Sequence, residues 1–208
     1  MPFISEAKMN DEQDEHEEII AVPSPIVNGN EKDISALYIK INEVNELGEE
    51  KVLKAIKDNL YLSRAIISRS PEGTFLALFN LNHVQNNHEL TAVKTALAIQ
   101  NDVRNVKSLS IGFGINSGKA IVSDIKKGMI NYTCFGNLVN IAKKLSINSK
   151  HNVLFTQNIH SKISNNLKAE EVKELFDYFN MKIYSLSKVI DRERYDNYVK
   201  EFMNRMKI

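Results

Sequence analysis

The stretch Asn131-Tyr132-Thr133-Cys134-Phe135-Gly136-Asn137-Leu138-Val139-Asn140-Ile141-Ala142-Lys143-Lys144-Leu145 changes character in its middle. Tyr132, Thr133 and Phe135 are aromatic or β-branched, a composition that suits the end of a strand. Gly136 and Asn137 interrupt that run, because glycine takes positive φ freely and asparagine caps helices well. Beyond them Leu138, Ile141, Ala142 and Leu145 recur at helical spacing, which predicts a helix with one buried stripe. Asn140 and Lys144 are four residues apart, so they share a helix face one turn from each other. A strand, turn and helix that aim an amide and an ammonium in one direction can hold an anion or a ribose. The same pattern also describes a capped helix with two solvated polar residues. Spacing leaves both readings open.

Working upstream, Leu109–Asn116 and Lys119–Asp124 read as two strands that turn at Ser117-Gly118. Farther back, Ile34, Ala36, Tyr38, Ile39 and Ile41 predict a first strand, and Leu47, Val52, Leu53, Ile56 and Leu60 a helix. Ala65–Ile67 and Phe75–Phe79 are apolar strands joined by Ser70-Pro71-Glu72-Gly73, a good hairpin turn. Asn87 is placed to cap a second helix whose buried stripe is Leu90, Val93, Leu97 and Val103. Downstream come a strand at Val153–Thr156, a short helix around Ile159–Ile163, and a final hairpin of Val172–Tyr178 with Lys182–Leu186. Tyr195, Tyr198, Phe202 and Met206 line one side of a closing helix, as core or dimer contact. The order β-α-β-β-α-β-β-α-β-α-β-β-α predicts an α+β fold, a mixed sheet flanked by helices.

Residues 1–30 have no sustained periodicity and end in Pro23, Pro25 and the Asn28-Gly29-Asn30 turn cluster. They read as an acidic disordered tail and linker, residues 31–190 as one domain, and residues 191–208 as a C-terminal amphipathic helix. The tail balances to −6 and the rest of the chain to +7, although the whole is only +1. Such a tail can fold back on a basic body, or act as a solubilising spacer. At 208 residues the chain can bury a substantial core. No apolar run approaches the roughly 20 residues that span a bilayer, and no leader pattern opens the chain, so the expectation is a soluble cytoplasmic protein. The single Cys134 excludes an intrachain disulfide.

Several weaker patterns carry less. Gly112, Gly114, Gly118 and Lys119 suggest a phosphate loop, yet that motif needs Gly at Phe113 and Ser or Thr at Ala120. His83 and His88 have no partner cysteines, which argues against a zinc site between them. His16, His151 and His160 read as isolated and solvated. Lys126, Lys127, Lys143, Lys144 and Lys150 can meet phosphates or simply form a solvated basic face.

Tyr132-Thr133-x-Phe135-Gly136-Asn137-x-Val139-Asn140-Ile141-Ala142-x-Lys144-Leu145 resembles the signature of class III nucleotidyl (adenylate and guanylate) cyclases. Ile111-Gly112-Phe113-Gly114-Ile115-Asn116-Ser117-Gly118-Lys119-Ala120-Ile121-Val122 is similar to a second block of that family, a hairpin, in the right order and spacing. With weaker matches earlier, the resemblance covers roughly residues 34–188. It implies a ferredoxin-like class III cyclase fold, a mixed and mostly antiparallel sheet, and active sites shared across a two-fold dimer.

The resemblance also implies where the chemistry would sit. Family members hold Mg²⁺ or Mn²⁺ with two aspartates on neighbouring strands, hard oxygen ligands that suit such ions. In this sequence Lys40 stands in the first aspartate place, within Leu37-Tyr38-Ile39-Lys40-Ile41, and Thr74 in the second, after Glu72-Gly73. Glu72 is the one nearby carboxylate. Asn140 matches the ribose-orienting asparagine, and Lys144 the phosphate-binding arginine, keeping its charge without the bidentate fork. Thr133 matches the base-reading position, with Cys134 one place out of step. Ser70 replaces the base-reading lysine, and Arg69 alternates to the other strand face.

The resulting expectation is a domain catalytically inactive on its own, with no metal of its own, that serves as a regulatory or dimerisation module. An alternative is the non-metal half of a heterodimeric cyclase, lending Thr133, Asn140 and Lys144 to a partner that supplies the aspartates and with them Mg²⁺ or Mn²⁺. A third reading is a basic nucleotide or nucleic-acid binding module. The expected partners are a homodimer or heterodimer mate and a weakly held nucleotide, with nucleic acid disfavoured.

Overall fold

The computed structural model describes residues 30–70, 73–122 and 136–189. The acidic tail, the tip of the 70–73 turn, the segment from Ser123 to Phe135 and the C-terminal helix expected after residue 190 lie outside the described residues. A seven-stranded sheet runs through the described part, in the order β2-β3-β1-β4-β5-β7-β6. Its strands are β1 (Asn30–Glu43), β2 (Ile66–Arg69), β3 (Thr74–Phe79), β4 (Ser110–Val122), β5 (Val153–Thr156), β6 (Leu167–Glu171) and β7 (Ile183–Val189). Only β4 and β5 pair in parallel; the other neighbours are antiparallel.

Five helices lie among the described residues: α1 (Glu46–Leu62), α2 (His88–Val103), α3 (Gly136–Asn148), α4 (Gln157–Ile163) and the one-turn α5 (Phe176–Phe179). Asn45 starts α1 by accepting a hydrogen bond from the Gly48 amide at 2.8 Å, and Glu46 and Glu49 favour the positive end of the helix. The stripe Val52, Ile56 and Leu60 then faces the sheet. Asn87 does occupy the cap position of α2, but its side chain makes no cap bond, and its carbonyl accepts from the Thr91 amide instead.

Alternation along the strands sends successive side chains to opposite faces. Leu37, Ile39, Phe75, Phe79, Phe113, Ile115 and Phe155 join the stripes of α1, α2 and α4 in the main core. Ile34, Ala36, Leu76 and Leu78 point the other way, toward Leu138 and Ala142 of α3. A smaller cluster of Leu145, Leu154 and Ile183 is closed by Leu175 and Phe179 at α5.

Two expectations need correction. Residues 110–122 form one strand, where Ser117-Gly118 was expected to turn the chain. The ladder to β1 runs unbroken through Ser35↔Ser117 and Ile34↔Gly118, so a long partner strand overrides a local turn signal. The last hairpin also begins earlier than expected, at Leu167. Residues 172–178, the anticipated first arm, instead lead into a 3₁₀ turn at Lys173–Leu175 and then α5. There Val172, Leu175 and Phe179 pack on Ile183 and its neighbours, and Asn180 ends α5 in the left-handed region.

Candidate functional site

The register of β1 and β3 sets Lys40 directly opposite Thr74, and Lys40 also faces Gly112 on β4. Opposed residues in an antiparallel pair project from the same face. That face is the one covered by α3, because Tyr38, two residues before Lys40, packs with the α3 cluster. Thr74 is 5% exposed, and Tyr38 Oη donates to its hydroxyl at 3.3 Å. Lys40 is half-buried, and among the described residues no carboxylate pairs with it. Arg69 lies on the opposite sheet face, its guanidinium 5.4 Å from the Phe75 ring, as strand alternation predicts.

On α3, Leu138, Ala142 and Leu145 are buried while Asn140 and Lys144 are exposed, so the expected shared face is present. The helix sits close on β4 because that strand presents glycines. A Cβ at Gly114 would lie 2.1 Å from the Ala142 carbonyl oxygen, and one at Gly112 would lie 1.9 Å from that of Ser146. Ser149 seals the same contact, accepting from the Phe113 amide at 2.9 Å.

The Lys144 ammonium lies 5.7 Å from the Tyr178 ring centroid. That contact directs Lys144 toward α5, over the β5–β7 side of the sheet. Lys40 and Thr74 lie on the β1–β3 side. The two halves of the expected site therefore flank α3 on opposite sides within one chain. Thr133, the third anticipated nucleotide contact, lies outside the described residues, as do Cys134 and Glu72.

Other expectations meet the structure as follows. Gly112, Gly114, Gly118 and Lys119 all belong to β4 and build no phosphate loop, and Lys119 pairs with Glu31 at 2.9 Å. His160 is not isolated: its ring stacks on Tyr184 with centroids 3.9 Å apart. His88 is buried against Ser35 and Glu89, a setting its sequence neighbours did not reveal.

Residues 71–189, more than half of the chain, match the family described as the adenylate and guanylate cyclase catalytic domain. The chain belongs to that family. Among solved structures, it resembles a non-canonical dimeric guanylyl cyclase domain of the RhoGC fusion protein from the aquatic fungus Blastocladiella emersonii. The identity is 13%, the TM-score 0.63, and the match covers 77% of this chain and 99% of the other. The adenylyl cyclase CyaB from P. aeruginosa is 18% identical with a TM-score of 0.64, over 77% and 96% of the two chains. The guanylate cyclase domain of RhGC from Catenaria anguillulae, solved with GTP, is 14% identical with a TM-score of 0.62, over 77% and 100%. No curated protein sequence matches the chain. The fold is thus the class III cyclase fold, read from the sequence and found in the structure. Among the described residues, no helix is long and apolar enough to cross a membrane.

Proposed function

We propose that this domain does not cyclise nucleoside triphosphates by itself and acts by associating with another cyclase-like domain. The observation that carries the reading is the register pair of Lys40 and Thr74. An ammonium repels a divalent cation, and a hydroxyl already accepting from Tyr38 is a poor substitute for a carboxylate. Exchanging two carboxylates for a cation and a neutral group moves the local charge from −2 to +1. Each unit-charge pair about 4 Å apart is worth about 4 kcal/mol at an effective dielectric near 20. These residues do not fit the family's metal pair, so no step is derived through such ions. The purified chain, given ATP or GTP with Mg²⁺ or Mn²⁺, is expected to yield no cyclic nucleotide. Product that scales with protein and disappears in Asn140→Ala would refute the reading.

The opposite flanks of α3 favour a second reading, the non-metal half of a heterodimer. Asn140 and Lys144 are exposed, and Lys144 is directed away from the chain's own Lys40 and Thr74, so both are available to a site completed by a partner. A guanylyl cyclase domain of similar fold has been solved both as a non-canonical dimer and as a monomer, so association is open to a domain of this fold. Alone, the half-site offers one charged contact worth about 1.5–3 kcal/mol, against the roughly 8 kcal/mol of micromolar binding. Nucleotide affinity of the isolated chain should therefore be weaker than micromolar. Calorimetry should find it weaker again in Lys144→Ala and unchanged by EDTA. Tight ATP binding that requires Mg²⁺ would contradict this.

A further inference from the structure

A second polar cluster lies on the other face of the sheet, roughly 20 Å along β1 from Lys40. Asp33 and Ser35 come from β1, His88 and Glu89 from the first turn of α2, and Lys162 from α4. The ligand-capable atoms of Asp33, His88 and Glu89 all lie within 4.8 Å of one another. His88 and Glu89 are each 5% exposed. Ser35 Oγ lies 2.8 Å from His88 Nδ1, and when that nitrogen donates to the hydroxyl, the lone pair is on Nε2. Nε2 faces Glu89 Oε1 at 3.4 Å. Burial outweighs the neighbouring carboxylates and pushes the His88 pKa down, toward the neutral form.

Ser117 is the cross-strand partner of Ser35 and shares its face. It is 2% exposed, yet its hydroxyl has no hydrogen-bond partner. Asn158, one turn before Lys162 on α4, donates to the Ser117 carbonyl at 3.3 Å and holds that residue beside the cluster. Lys162 Nζ bridges the carboxylates, 2.7 Å from Asp33 Oδ2 and 2.5 Å from Glu89 Oε1. Two carboxylates and one ammonium leave one negative charge in excess.

We propose that Asp33, His88 and Glu89 form a binding site for a divalent transition-metal ion of the zinc class, and that Lys162 is the counter-cation the metal displaces. An imidazole beside carboxylates suits Zn²⁺ better than Mg²⁺ or Ca²⁺, and three protein ligands leave a fourth position open. Ser35 is the outer partner that orients the ring, its hydroxyl accepting from Nδ1–H when Nε2 is the ligand. Ser117, opposite Ser35 on the same face, supplies an uncommitted hydroxyl beside the cluster. The Lys162 side chain is 42% exposed, so it can leave for solvent without unfolding α4. Replacing the ammonium by a dication takes the cluster from −1 to neutral.

The test uses the full chain and Zn²⁺ alone, titrated by calorimetry, with Co²⁺ as a visible-absorption probe of the same ligands. Wild type is expected to bind weakly, because Lys162 competes. Lys162→Met should bind Zn²⁺ at least tenfold more tightly; without the ion it should melt below wild type, and Zn²⁺ but not Mg²⁺ should raise its midpoint. Asp33→Asn and His88→Gln should each lose the Lys162→Met gain when combined with it, together with the Co²⁺ band. Asp33 is exposed, so Asp33→Asn remains informative if His88→Gln fails to fold. Equal Zn²⁺ affinity in wild type, Lys162→Met and the double variants would overturn the proposal, as would weaker binding in Lys162→Met.

Discussion

Lys40 and Thr74 face one another across β1 and β3, and the Thr74 hydroxyl is engaged by Tyr38. At the residue scale this pair makes a direct prediction. Lys40→Asp combined with Thr74→Asp puts two carboxylates on neighbouring strands, with the Thr74 position almost fully buried. Like charges held close and partly desolvated repel, so the double variant should melt below wild type in the absence of divalent ions. Mn²⁺ should restore part of that loss and bind measurably by calorimetry, where wild type does not. A double variant whose melting ignores Mn²⁺ would mean that these positions do not converge on one ion.

At the scale of elements, the contact that matters is α3 on β4. Helix and strand meet where Gly112 and Gly114 leave room for the Ser146 and Ala142 carbonyls. Gly114→Ala would place a methyl 2.1 Å from backbone, which cannot rotate away, so the helix must lift. Overpacking of this kind costs about 1–3 kcal/mol. In a domain of this size that lowers the melting midpoint by roughly 2–4 °C per kcal/mol, measurable by calorimetry. Because Asn140 and Lys144 ride on α3, the same substitution should weaken any nucleotide binding beyond the stability loss. A Gly114→Ala protein with unchanged midpoint would show that α3 is not seated as closely as its backbone contacts require.

At the scale of the whole molecule, the exposed Asn140 and Lys144 and the Lys40–Thr74 pair lie on opposite flanks of α3. A second domain related by a two-fold axis would bring one flank of each copy toward the other of its mate, and closed isologous dimers are the commonest such arrangement. Phe176 and Tyr178 are among the exposed large hydrophobic side chains, with Tyr178 62% exposed beside Lys144. Sedimentation at high micromolar concentration should therefore detect self-association, or a mixed species with a cyclase-family chain that carries both aspartates. A strictly monomeric profile in both experiments would exclude association as the mode of action.

What the sequence determined by itself is local or periodic. The stripes of α1, α2 and α3, the apolar strands, and the shared face of Asn140 and Lys144 follow from backbone geometry and solvent exclusion within one element. The family signature in residues 132–145 is equally local, so the cyclase fold was legible there. Features that depend on a distant partner emerge only in the folded chain. Continuity of β4 through Gly118 comes from thirteen residues of β1 beside it, and the helical turn at 173–179 from packing on Ile183. The pairing of Ser35 with His88 joins residues 53 apart, and Lys162 reaches Asp33 across 129. Such contacts leave no periodic trace, because each element satisfies its own pattern without them. They exist because the sheet order sets the start of β1 beneath the ends of α2 and α4.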